Sequence, residues 1–173
     1  MMNKLPKILI VTIFTSVISL ALLFISILTA VLNVKRVEES INNIGSVSYS
    51  FEVENKIDNA ITLYQKLDTN IKLNEKVSNI SILNDAKYEY VRIAIKKALV
   101  LNERKVADNI SEEEISKAVN EANLKLKKYY EESEYGNILG YKDFKYLLDE
   151  YEIKEKETSS DVKKEKTEEP EIC

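Results

Sequence analysis

Hydrophobic positions follow three regimes along the chain. From Ile8 to Leu32 they are nearly continuous, and no charged residue stands between Lys7 and Lys35. From Val34 to Tyr151 they recur at steps of three and four, the spacing of one face of an α-helix. Beyond that they almost vanish, and residues 152–173 hold 13 charged residues out of 22.

The first regime predicts a transmembrane helix over residues 8–32. At about 1.5 Å per residue it reaches past the roughly 30 Å of a bilayer's hydrocarbon. In lipid a helix also satisfies its own backbone polar groups. The basic residues Lys4 and Lys7 in the short tail 1–7 would suit a signal peptide. The apolar run, however, exceeds the roughly 7–15 residues of a cleaved signal core. Leu28-Thr29-Ala30 lacks the small residue that a cleavage site wants, and no Cys follows the run before Cys173. An uncleaved signal anchor is therefore expected. Lys35 and Arg36 beyond the span nearly balance the basic residues before it, so charge sets the orientation only weakly. The short basic tail favours a single-pass protein of the cell membrane, N-terminus inside and C-terminal domain outside.

The second regime resolves into helical stripes. Val34, Val37, Ile41 and Ile44 predict a stalk that continues the membrane helix up to Gly45. Val53, Ile57, Ala60, Tyr64 and Leu67 predict a helix from about Phe51 to Leu67, closed by Asp68-Thr69-Asn70. A third helical stretch runs from Asn74 to about Arg104, with a bend near Asn79–Ser81. Ser111-Glu112-Glu113-Glu114 reads as a capping box, with Ile110 and Ile115 at the staple positions. The helix it opens turns Ile115, Val119, Ala122, Leu126 and Tyr129 inward. Residues 131–140 form a connector, and Tyr141, Phe144, Leu148 and Tyr151 mark a short last helix. The expected fold is all-α: the transmembrane helix, a bundle of about four helices over 33–151, and a disordered charged tail over 152–173.

Composition narrows the chemistry. The chain of 173 residues has no His, no Trp, one Cys and three Gly. That excludes His-dependent triads, His- or Cys-built metal sites and an internal disulfide, and leaves too little glycine for a phosphate-cradling loop. A net charge of −4 gives no footprint for nucleic acid. Lys outnumbers Arg 22 to 3, a bias of AT-rich coding sequence, so single lysines are weak signals. Glu112–Glu114 and the Glu131, Glu132, Glu134 group lack the alternating, glycine-containing pattern of a calcium loop. The 29 acidic residues make chance carboxylate pairs inevitable. No catalysis, cofactor or metal is expected.

Tyrosine is the one enriched functional type, with six of ten between 129 and 151. Tyr130, Tyr135 and Tyr146 are the candidate ligand face, because tyrosine gives rigid, amphipathic contact area and can stack on sugars. The competing expectation is that Tyr141 and Tyr151 pack inward while the rest line the rim of the bundle.

Ile57-x2-Ala60-x3-Tyr64-x2-Leu67, followed by Val77-x-Asn79-x3-Leu83-x2-Ala86, resembles a small helical module of secreted and cell-surface proteins of Gram-positive bacteria, of the FIVAR type. Ile44-Gly45-Ser46-Val47 resembles that module's entry. The resemblance covers about residues 41–90, and the segments before Ile57 and after Leu67 are each about two residues longer than the pattern. It implies a compact three-helix unit and a spacer or adhesion role. The expected function is a membrane-anchored helical surface domain acting as scaffold, spacer or binding module. Its expected partners are the lipid bilayer and a cell-wall glycan or a protein. The alternative is a small single-pass subunit of a division, secretion or transport machine, with Ser16, Ser19, Ser26 and Thr29 at a helix–helix interface.

Overall fold

The computed structural model describes residues 7–69 and 72–152. Lys4, the one basic residue before Lys7, and the tail from residue 153 on lie outside the described residues. The protein is all-α, and no strand occurs among the described residues. Helices α1 (Lys7–Asn42), α2 (Phe51–Gln65), α3 (Ile80–Glu103) and α4 (Glu112–Tyr129) are followed by α5 over residues 141–152. Short 3-10 helices occupy Asn74–Lys76 and Glu132–Asn137. The described chain forms two compact units. One contains the chain up to Gly45 with Asn55–Leu83, the other Ser46–Glu54 with the chain from Asn84 on.

In the first unit α1 changes character along its length. Its large apolar side chains from Val11 to Leu32 are at least half exposed, with Phe24 at 68 %. One helix near the N-terminus is thus long and apolar enough to span a membrane, and none of its apolar window is buried inside the protein. Beyond Leu32 this reverses: Val37 and Ile41 are 1 % and 0 % exposed, and Ile44 is buried as well. The stripe expected to form a stalk is therefore core, shared with Ile57, Ala60, Leu67, Val77 and Leu83. Apolar side chains at this spacing need a partner, and α2 and the chain before α3 supply it.

Hydrogen bonds fix this packing. The Asn59 amide donates to Ser40 Oγ at 3.0 Å. Ser78 donates to Glu38 Oε1 through its backbone N–H at 2.9 Å and its hydroxyl at 2.6 Å. The Asn79 amide donates to the Glu38 carbonyl at 3.0 Å and to Asn42 Oδ1 at 2.9 Å. These contacts also correct the long third helix. Ser78 and Asn79 spend their side chains on α1, so the chain after the 3-10 turn is extended at Val77 and α3 starts only at Ile80. The expected bend is a helix start. Gly45, at φ +67°, ends α1 in the left-handed conformation.

In the second unit α3 buries Ala86, Tyr90, Val91, Ala94, Ile95 and Ala98. The inner face of α4 is the expected one, with Ala118 added. Ser111 Oγ accepts from the Glu114 amide at 3.2 Å, but no return bond from the Glu114 carboxylate forms among the described residues. The reciprocal box forms instead in the connector. There the Glu131 side chain caps Glu134, and Glu134 accepts from the Glu131 amide at 2.9 Å, which opens the second 3-10 helix. In α5 the buried residues are Phe144, Leu147 and Tyr151, while Tyr141 and Leu148 are only half-buried. Phe144 and Tyr151 of the expected stripe are thus buried, and Leu147 takes the place expected for Leu148; before the helix, Gly140 (φ +88°) lies close to α3. A Cβ there would lie 3.5 Å from Ile95 Cγ2 and 3.6 Å from Leu99 Cδ1.

Candidate functional site: a tyrosine-lined ion-pair cluster

The densest polar arrangement lies in the second unit, around the first turn of α2. Ser50 Oγ accepts from the Val53 amide at 3.3 Å and its carbonyl accepts from the Glu54 amide at 3.1 Å, which starts the helix. That turn carries Glu52 and Glu54 at the positive end of the helix dipole. Glu54 is buried, an uncommon place for a carboxylate. Its oxygens accept from Lys125 Nζ and Lys128 Nζ, each at 2.7 Å, and from the Tyr90 hydroxyl at 3.2 Å. Lys125 and Lys128 are three apart on α4 and so share a face.

Aromatic rings enclose this pair of bridges. Tyr90 lies 5.2 Å from Tyr49 and meets Tyr129 edge-on at 6.3 Å. Lys97 Nζ stands 5.4 Å from the centre of the Tyr49 ring and 3.9 Å from Glu121. The Tyr49 hydroxyl reaches Glu121 Oε2 at 3.5 Å. Tyr49, Ser50, Phe51, Glu54, Tyr90, Glu121 and Lys125 line an open hollow of about 250 Å³. Phe51 stands on its rim, 78 % exposed.

Burial alone would raise the Glu54 carboxyl, but the hydrogen bonds and positive charges of Lys125 and Lys128 outweigh it and hold the group below its usual 4.5. Burial, with the nearby Glu121 and Glu54 charges, pushes the Tyr49 hydroxyl up to about 12. Burial and the Glu54 carboxylate likewise push Tyr90 upward. These three groups therefore keep one protonation state across neutral pH. The hollow offers fixed hydrogen-bonding groups and aromatic faces, the equipment of a recognition surface.

The structure disperses the tyrosines singled out from the sequence. Tyr135 is buried, edge-on to Tyr141 at 5.5 Å. Tyr130 is half-buried with Lys87 Nζ 5.6 Å from its ring centre, and burial followed by the Glu134 charge pushes its hydroxyl up to about 12. Tyr146 is 69 % exposed. No ring contact joins these three among the described residues. Tyr49 and Tyr90, which the sequence did not single out, are the ones brought together. No group of three or more His, Cys, Asp or Glu side chains fit to hold a metal ion occurs among the described residues. Comparison with family models, with curated proteins and with solved structures finds no match.

Proposed function

We propose that the protein is a single-pass, membrane-anchored helical domain that displays a recognition surface and carries out no catalysis. One observation carries this reading: the exposed, uncharged stretch of α1 over Val11–Leu32, in a chain whose other stripes are buried. Leaving that much apolar surface in water is strongly unfavourable, and lipid relieves it. The helix then runs without a break into the core at Val37 and Ile41, so the anchor and the first unit form one rigid piece. Such coupling suits a scaffold or spacer, which must hold its first unit at a set height above the membrane. The hollow around Tyr49 and Glu54 is the surface it presents to a polar partner, a cell-wall glycan or a protein.

The N-terminus lies inside and both the hollow and α5 outside. A cysteine introduced at Asp143 in a Cys173→Ser background tests this orientation. Labelling of intact cells by an impermeant maleimide supports it, and labelling only after lysis reverses it. Exchanging residues 8–32 for an unrelated span separates a displayed domain from a machine subunit. A displayed domain keeps its partner pull-down, whereas a subunit that uses the span as an interface loses it. The Thr15 and Thr29 hydroxyls already bond carbonyls of their own helix, at 3.0 and 2.8 Å, which favours the displayed domain.

A further inference from the structure

A groove of about 680 Å³ lies beside α1 in the first unit. One wall is the α1 face Ile27, Ala30, Val31 and Val34, an i, i+3, i+4, i+7 set. The other wall is Leu73, next to the 3-10 turn. Lys35 and Lys76 line the same groove. Its apolar wall is continuous with the exposed apolar surface of α1.

Its depth follows from the membrane reading, on which this inference rests. Hydrocarbon about 30 Å thick covers about 20 helical residues. Centred on Leu20, it reaches to about Ala30. Lys35 then stands about 7 Å farther out, within the headgroup layer. The groove therefore straddles the boundary, apolar below and basic above. An ordinary membrane helix offers lipid a convex face, but here Leu73 adds a second wall that can enclose an acyl chain.

The charges at the upper end are complementary to a phosphate. Glu38 also lines the groove and keeps its negative charge, but Ser78 holds its carboxylate through two hydrogen bonds and the two lysines outnumber it. Lys35 reaches Glu39 only at 4.0 Å, and its side chain is 68 % exposed. Lys76 makes no ion pair among the described residues. We propose that this groove holds one anionic glycerophospholipid of the surrounding bilayer. Its acyl chain lies against Ile27, Val31 and Leu73, and its phosphate lies by Lys35 and Lys76.

The test uses the full chain. Native mass spectrometry from detergent reads retention of phosphatidylglycerol against phosphatidylcholine of equal chain length. Wild type should retain the anionic lipid preferentially, and each lysine should contribute about fivefold, the effect of one basic side chain near an anionic surface. Lys35→Gln with Lys76→Gln should abolish the preference, while Lys142→Gln with Lys145→Gln on α5 leaves it intact. Lys76→Gln alone, at an exposed turn position, keeps the test open if the double variant loses helicity. Equal retention of both lipids by wild type, or an undiminished preference in the lysine variants, overturns the proposal. Flotation with vesicles of the two lipids separates the two levels. A chain that floats without a lipid preference sinks this inference alone, and one that does not float sinks the membrane reading too.

Discussion

Glu54 shows how much one residue can organise. Its carboxylate gathers two ammonium groups and a phenol, and its neighbours Tyr49 and Tyr90 shape the hollow. Removing one partner of a buried ion pair costs about 3–5 kcal/mol. The Lys125 and Lys128 side chains are 22 % and 38 % exposed, so solvent screens part of that. Glu54→Gln should therefore destabilise the fold by about 1–3 kcal/mol in urea unfolding. Because folding depresses the Glu54 pKa, its contribution is fully present above the ordinary value of 4.5 and is lost as pH falls through the lower, folded value. Wild-type stability should drop on acidification below that point, and Glu54→Gln should flatten the drop; parallel pH profiles would deny Glu54 this role. Tyr90→Phe removes one donor to Glu54 and should cost about 1 kcal/mol. None of this was legible in the sequence. Periodicity reports which face of a helix is buried, not which residue lies opposite. Glu54 is 71 and 74 positions from its lysines, which in so lysine-rich a chain carry no signal of their own.

At the scale of elements, the sequence carried the starts of α2 and α4 and most inner faces. The Ser111 cap, the α4 stripe and the start of α2 at Phe51 stand where the local chemistry puts them. Ser111→Ala should cost about 1 kcal/mol in thermal unfolding. The failures share one cause, a local signal redirected by a distant contact. The stripe Val37, Ile41 and Ile44 has the spacing of a stalk as much as of a core helix, and only its burial, with the bonds that Glu38, Ser40 and Asn42 beside it make to Ser78, Asn59 and Asn79, reveals which it is. The same contacts start α3 at Ile80, and in α5 Leu147 is buried where the spacing pointed to Leu148. Ile41→Ala leaves a cavity in that core and should cost about 2–4 kcal/mol. Ile25→Ala, on the exposed part of the same helix, should leave unfolding of the detergent-solubilised protein nearly unchanged. Equal losses at the two positions would contradict the division of α1 into a lipid-facing part and a core part.

For the whole molecule, one continuous helix joins what the bilayer would hold to what the first unit packs. The sequence announced both ends of that helix by the absence of charge and by the three–four stepping of apolar residues. It also predicted their continuity, and α1 runs unbroken from Lys7 to Asn42; what it did not announce is that the far end is core and not a free stalk. The most direct test is alkaline carbonate extraction of membranes carrying the full-length chain. The protein should stay in the membrane pellet after the wash and enter solution only with detergent. Recovery in the carbonate supernatant, as a folded helical protein, would contradict the account.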